Sequence, residues 1–339
     1  MCCKSLISPK NLKTKIPLSK EEEYFIKTSR EKIIQIIQWI SNQLLVIVWP
    51  CSIHNVNEWL EYAEKLKKVS KNYKNLYVVM RAYLEKPRTT IWWKWLIFDP
   101  YLNGQGNIEQ WLVIARKFLK DLANLEIPIA TEILDIVNFK YYDDLISYWA
   151  IWARTSESQQ HREIASWFNF PVWFKNWTHW DIDVAINAII SAKKWHNFIS
   201  INEEWKVCIQ KTKWNNYWHI ILRWGKKWPN YDELSVKNTL ELLKLNNINL
   251  WLIIDVSHWN SNKKALNQIN VLEYVSKQIK INKKIIWVMI ESNINYWNQS
   301  FIPGKDSLNN LKYWISITDE CISLEQTDKM LYLLNKSKK

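Results

Sequence analysis

The chain has 339 residues, a formal net charge of +13 and 48% hydrophobic residues, with 24 Trp against only 4 Gly. The length suits one large α/β barrel with an extension, or two ordinary domains. No apolar run approaches the roughly 18 residues of a membrane span, no leader pattern opens the chain, and five Cys without a CxxC pair argue against a disulfide framework, so a cytoplasmic protein is expected.

In chain order, residues 1–43 read as a polar extension with helical stretches, from Lys20-Glu21-Glu22-Glu23 to Ile33-Ile34-Gln35-Ile36-Ile37. Residues 44–335 then alternate short apolar runs with amphipathic segments. The runs Leu44–Val48, Leu76–Tyr83, Ile127–Ile133, Tyr148–Arg154, Pro171–Lys175, Phe198–Ile201, His219–Arg223, Leu250–Val256 and Ile285–Ile290 read as strands. Helical patterns fall at 58–69, 108–122, 181–192, 235–245 and 271–279. Continuous apolar strands followed by helices predict parallel β/α units with both sheet faces covered. Nine candidate strands compete for the eight places of a closed barrel, and the polar stretch from Ile199 to Trp218 reads as a hairpin excursion. The predicted fold is therefore α/β: a (β/α)8 TIM barrel with a short N-terminal extension and a β-hairpin insertion.

The tryptophans are as unusual in place as in number. An average chain of this length holds roughly 24 Gly. Here Trp sits beside turn and charged residues, as in Val48-Trp49-Pro50, Asn176-Trp177-Thr178 and Arg223-Trp224-Gly225. Such sites call for positive φ or close backbone approach, which Gly permits and a bulky residue does not. The reading that follows is one of decoding: a codon written as Trp, the recoded stop UGA, stands for Gly. Abundant Ile, Lys and Asn fit an AT-rich genome. The rival reading, a Trp-rich protein that stacks on sugars or nucleotides, predicts a presented aromatic face, whereas Trp92, Trp93 and Trp95 crowd one loop.

Polar residues recur at the strand ends, the catalytic face of a barrel. Arg81, Lys86, Arg88, Arg154, Lys175 and Arg223 would converge there, and cations so grouped repel one another unless anions lie between them. A substrate pair carrying phosphates and a carboxylate is the economical partner, and the dispersed Lys fit a solvated surface better than nucleic-acid binding. Cys51, His258, Glu291 and Asp319 form a mixed S/N/O set suited to one divalent transition metal ion of the Mn, Fe, Co or Zn class.

With Trp taken as Gly, the motifs become specific. Trp49-Pro50-Cys51-Ser52-Ile53-His54 is similar to GPCSIH, Met80 through Thr90 to MRxYxEKPRTT, and Trp92-Trp93-Lys94-Trp95-Leu96 to GWKGL. Trp149 through Thr155 is similar to GAIGART, Pro171 through Thr178 to PVGFKNGT, and Ile221 through Gly225 to ILRGG. Asp255 through Lys263, Trp287 through Ser292 and Ser316 through Asp319 are similar to DxSHGNSxK, GVMxES and SITD. In this order, from about residue 44 to 330, the chain resembles class I 3-deoxy-7-phosphoheptulonate synthase, the transferase that opens the shikimate route to aromatic amino acids. In the run Trp92 to Leu96 only Trp93 matches a family Trp.

The resemblance implies an aldol-type condensation of phosphoenolpyruvate with erythrose 4-phosphate. It implies metal ligands Cys51, His258, Glu291 and Asp319. It places phosphoenolpyruvate on Arg81, Lys86, Glu132, the Ala153 backbone, Arg154, Lys175 and Arg223, and erythrose 4-phosphate on Lys86, Pro87, Arg88 and Thr89. Cys51, Lys86 and His258 are the catalytic candidates, the last two for proton transfer. It also implies a homo-dimer or homo-tetramer and feedback by an aromatic amino acid through the extension, with no nucleic acid or membrane partner. A related enolpyruvate synthase making an eight-carbon sugar acid is the second reading, opposed by the Lys86–Thr90 segment.

Overall fold

The computed structural model describes the chain except residues 1–3, 52, 86–95, 97–98, 104–106, 152–154, 176–181, 224–228, 249–250, 303–304 and 339, and the side chain of Lys175. Two helices, α1 (Pro9–Lys15) and α2 (Lys20–Ile37), precede the first strand. Ser19 and Glu22 close a reciprocal capping box at the start of α2, as the Ser-x-x-Glu spacing predicts. The chain continues through β1 (Leu44–Trp49), α3 (Val56–Ser70), β2 (Leu76–Arg81), α4 (Ile108–Asn124), β3 (Ile129–Ile133) and β4 (Tyr148–Ile151). Next come α5 (Gln159–Trp167), β5 (Val172–Lys175), α6 (Ile182–Ala192), β6 (Asn197–Ile201), β7 (Val207–Lys211) and β8 (Trp218–Leu222). The last elements are α7 (Glu233–Leu245), β9 (Leu252–Asp255), α8 (Asn267–Ile281), β10 (Ile285–Glu291) and α9 (Leu324–Ser337).

Eight strands close in the order β1-β10-β9-β8-β5-β4-β3-β2, every neighbour parallel, while β6 and β7 pair only with each other. The ninth candidate strand is thus half of the expected hairpin, and the barrel has its eight places filled. Between β3 and β4 two 3₁₀ turns, Asn138–Tyr141 and Asp143–Leu145, take the place that a helix holds in a regular β/α unit. Lys140 and its flanking Tyr141 and Tyr142 are buried there, so the segment packs as a compact plug rather than a surface helix.

The residues before β1 dock on that plug. Arg30 of α2 donates to the carbonyls of Asp143 and Ile146 at 2.6–2.8 Å. Lys13 of α1 pairs with Asp143 at 2.7 Å, and Lys120 of α4 with Glu22 at 2.7 Å. Arg116, only 1% exposed, grips Asp144 through two bonds of 2.7 and 2.8 Å and also donates to the Ile16 and Tyr141 carbonyls. One buried guanidinium so ties extension, helix and plug together.

The tryptophans fit this fold badly. Among the described residues ten non-glycine positions carry positive φ, and four are Trp: Trp39 (63°), Trp205 (65°), Trp297 (97°) and Trp314 (67°). Trp makes up 24 of 339 residues, so that share is far above chance. Positive φ disfavours any residue with a Cβ, and bulky ones most. Trp39 and five further indoles, of Trp111, Trp149, Trp173, Trp218 and Trp287, bury their N–H with no hydrogen-bond partner. Buried Trp usually finds one. On the barrel strands Trp49, Trp149, Trp173, Trp218 and Trp287 are fully buried, so these five present no stacking face.

Candidate active site

The β1 strand ends at Trp49, and the turn Pro50-Cys51 carries the Cys51 thiol inward, 3% exposed. At the far end of the sequence but adjacent in the barrel, β10 ends at Glu291, whose backbone is held on both sides by Gln268 of α8 at 2.8 and 3.1 Å. The Thr318 hydroxyl donates to the Cys51 carbonyl at 3.2 Å, which places the following residue, Asp319, over the same spot. Sγ of Cys51 and carboxylate oxygens of Glu291 and Asp319 all lie within 4.8 Å of one another. The Cys51 thiol is in direct hydrogen-bond contact with Glu291.

Burial pushes the Cys51 thiol well up, and its neighbours Cys321, Glu291 and Asp319 push the same way. A thiol crowded by carboxylates holds its proton until a cation arrives and reverses the local field. One thiolate and two carboxylates are a donor set that suits a divalent transition metal, so the residues present fit such an ion.

His258 follows β9 and adopts a φ of 53°. Its Nδ1 faces Asp255 Oδ2 at 2.7 Å and Ser257 Oγ at 2.8 Å, so the ring is oriented with Nε2 as the remaining nitrogen. Burial, with Arg223 and Arg81 nearby, lowers its pKa to about 4 against the opposing pull of Asp255. The imidazole is therefore neutral at physiological pH, the form that can accept a proton or bind a metal. Burial alone would raise Asp255; His258 and Arg223 hold it below the usual carboxylate range instead. His258 does not join the three-residue cluster. Its ring stacks on the Trp49 indole at 5.8 Å, and the same indole donates from Nε1 to Glu291 Oε1 at 3.2 Å. Residue 49 thus fills the interval between the histidine and the cluster with a side chain that a Gly would not have.

The cationic side begins at the end of β2. Arg81 is 6% exposed, sits over the Trp49 ring at 3.7 Å and the Tyr83 ring at 3.9 Å, and buries Nε and Nη1 with no hydrogen-bond partner. A guanidinium left so is costly unless an anion completes it. Glu132, at the end of β3, is buried and accepts from the Tyr83 hydroxyl at 2.9 Å. Arg223 follows β8 and acts electrostatically on both Asp255 and His258. Lys175 ends β5, and its backbone faces Ile221 across the ladder. Lys86, Pro87, Arg88, Thr89, Ala153 and Arg154 lie outside the described residues.

Two participants escaped the sequence reading. Asp255 orients His258 from three residues upstream, a spacing that could have exposed it. Tyr83 holds Glu132 from just beyond the end of β2, which no local pattern reveals.

A closed parallel barrel with acids, a thiol and the buried Arg81 guanidinium at the C-terminal strand ends defines an enzyme for anionic substrates with a donor set that suits a divalent cation. Comparison with known proteins narrows the class. The profile of the DAHP synthetase I family matches residues 15–332, and the chain belongs to that family. It is 44% identical over 328 residues to the Tyr-sensitive phospho-2-dehydro-3-deoxyheptonate aldolase of Escherichia coli (strain K12), covering 96% of this chain and 91% of that protein. It is 40% identical over 332 residues to the Trp-sensitive phospho-2-dehydro-3-deoxyheptonate aldolase of Enterobacter agglomerans, covering 97% and 94%. The solved phospho-2-dehydro-3-deoxyheptonate aldolase of Francisella tularensis SCHU S4 superposes with a TM-score of 0.94 at 41% identity, over 99% of this chain and 97% of that one.

Proposed function

We propose that this chain is a phospho-2-dehydro-3-deoxyheptonate aldolase, which joins phosphoenolpyruvate to erythrose 4-phosphate and opens aromatic amino acid biosynthesis. C3 of the enolpyruvate attacks the aldehyde carbon and the aldehyde oxygen takes a proton. Water adds at C2, and cleavage of the C–O bond releases inorganic phosphate. The observation that carries the reading is Arg81, a buried guanidinium with two N–H groups lacking partners, one residue, Trp49, away from the Cys51–Glu291–Asp319 cluster.

Arg81 would take the carboxylate or phosphate of phosphoenolpyruvate with its unpaired N–H groups, and Arg223, Lys175, Arg154 and Lys86 would complete the anion cage. Glu132, fixed by Tyr83, would border the same substrate. Pro87, Arg88, Thr89 and the Ala153 N–H are assigned to the two phosphorylated substrates by the family resemblance. Cys51, Glu291 and Asp319, with His258, would hold the metal ion. When bound, that ion supplies Lewis-acid polarisation of the aldehyde oxygen. His258, neutral and steered by Asp255, can hold a proton at Nε2, and Lys86 is the second candidate for proton transfer. Fixing both anions side by side removes much of the entropic barrier.

Sensitivity to Tyr or Trp is printed in the names of the relatives, which supports an aromatic amino acid as effector of this chain, acting through residues 1–43. That extension docks on the β3–β4 plug, the segment that follows the strand carrying Glu132. Self-association as a dimer or tetramer is supported by the exposed apolar face of the hairpin, where Ile199, Val207 and Ile209 stand 72–81% exposed. Among the described residues no helix is long and apolar enough to cross a membrane.

Metal content gives the direct test of the ligand assignment. Cys51→Ala in the chain with Gly at every Trp position except Trp93 is expected to lose bound metal and activity together. Retention of both would remove Cys51 from the ligand set.

A further inference from the structure

The floor of the barrel holds a polar pair that the proposed chemistry does not use. Tyr148 on β4 and His219 on β8 are both fully buried and point into the barrel interior, where the Tyr148 hydroxyl meets His219 Nε2. His219 Nδ1 completes no hydrogen bond of good geometry, although the Trp218 backbone lies near it. Two indoles close the space around the pair. Trp173, the ladder partner of His219, has its ring centroid 4.1 Å from Tyr148, and Trp287 lies 4.0 Å from His219 and 4.8 Å from Tyr148. Aromatic neighbours prefer centroids about 4.5–7 Å apart, so two of these three contacts are overfilled. Both indole N–H groups are buried without a partner as well. Three unpaired polar atoms in one crowded layer make a poor apolar core.

Reading positions 173 and 287 as Gly reverses these faults except the unpaired His219 Nδ1, which is left facing the space. Two unpaired donors vanish, the overfilled contacts vanish, and space opens directly against the Tyr148 hydroxyl and the His219 ring. Apolar voids in proteins stay dry, but a void bordered by two or more polar partners fills with ordered water. The other walls, Ala130, Ala150, Ile221, Ile253 and Met289, are apolar and would confine that water to the Tyr–His pair.

We propose that the barrel floor is a buried water-binding site whose protein ligands are Tyr148 and His219. The inference rests on the Trp-to-Gly decoding and goes beyond the proposed activity. Position 173 lies two residues before Lys175 and position 287 four before Glu291. At about 3.3 Å rise per residue the site is roughly 7–13 Å beneath those side chains. The active site then opens inward onto a hydrogen-bonding chamber instead of an aromatic plug. Burial lowers His219 to about 3, so the imidazole is neutral; with Nε2 taken by the Tyr148 hydroxyl, its Nδ1 and the Tyr148 oxygen are what remain for water.

The test is a high-resolution crystal structure of the chain with Gly at every Trp position except Trp93, paired with peptide mass spectrometry of the protein made by its own organism's translation machinery. Gly at 173 and 287 in the peptides, with at least one ordered water bonded to Tyr148 Oη or a His219 nitrogen, is the expected result. The double variant Tyr148→Phe/His219→Leu should then lose the water and admit xenon to the same chamber. Gly in the peptides with a floor collapsed shut, or open but dry, overturns the water site and leaves the decoding intact. Trp in the peptides overturns both, whereas the synthase reading stands or falls on its own assay.

Discussion

Arg81 is the residue on which the substrate reading turns. Each charge-assisted hydrogen bond is worth about 1.5–3 kcal/mol, so losing two should lower kcat/KM roughly a hundred- to ten-thousand-fold. Arg81→Ala is expected to do this chiefly by raising KM for phosphoenolpyruvate. Arg81→Lys should recover little, because an ammonium cannot reproduce the planar fork. A variant with unchanged KM for phosphoenolpyruvate would remove Arg81 from the anion site. Glu58 offers a separate residue-scale test, away from the ligands. Burial raises its carboxyl to about 7 against the pull of the Trp314 N–H and Asn55. Between the ordinary carboxylate range and pH 7 the folded form keeps a proton that the unfolded chain has lost, so stability falls as pH rises through that window. Glu58→Gln should therefore raise the melting temperature at pH 8 and change it little near pH 4. An equal gain at both values would show that the effect is not protonic.

At the scale of elements, the extension and the β3–β4 plug act as one unit through Arg116. Removing one partner of a buried ion pair costs about 3–5 kcal/mol, and the partly exposed Asp144 puts this case at the lower end. Arg116→Ala should lower the urea midpoint accordingly and loosen α2 from the barrel, read as faster amide exchange across Lys20–Ile37. Most elements were legible because strands buried on both faces are continuously apolar and the helices between them keep a 3.6-residue period. Three were not. The helix α5 is short and polar, Gln159-Gln160-His161-Arg162-Glu163, so it has no apolar stripe to read. The helix α9 was missed although Ser323 and Gln326 form a capping box at its start. The plug is held by Arg116, more than 20 residues away from Asp144 in sequence, and long-range pairing leaves no local trace. At the site, Cys51, Glu291 and Asp319 converge as the strand-end pattern suggests, while His258 is kept apart by the ring at position 49.

For the whole molecule, the tryptophans and the fold make opposite demands. The barrel closes, its strands register and its acids meet, yet indoles occupy positive-φ turns, bury unpaired N–H groups and stand between His258 and Glu291. Overpacking costs about 1–3 kcal/mol per site, and several such sites would exhaust the roughly 5–15 kcal/mol by which a folded protein is stable. The same positions read as Gly satisfy turn geometry, clear the site and restore the family motifs from residue 49 to 319. One assay decides the matter most directly: metal-dependent consumption of phosphoenolpyruvate, with and without erythrose 4-phosphate, by the chain as written and by the chain with Gly at every Trp position except Trp93. Activity confined to the Gly-bearing chain, and only with erythrose 4-phosphate, is the predicted result. Turnover by the chain as written would contradict the decoding, and a folded Gly-bearing chain inert toward this substrate pair would contradict the proposed reaction.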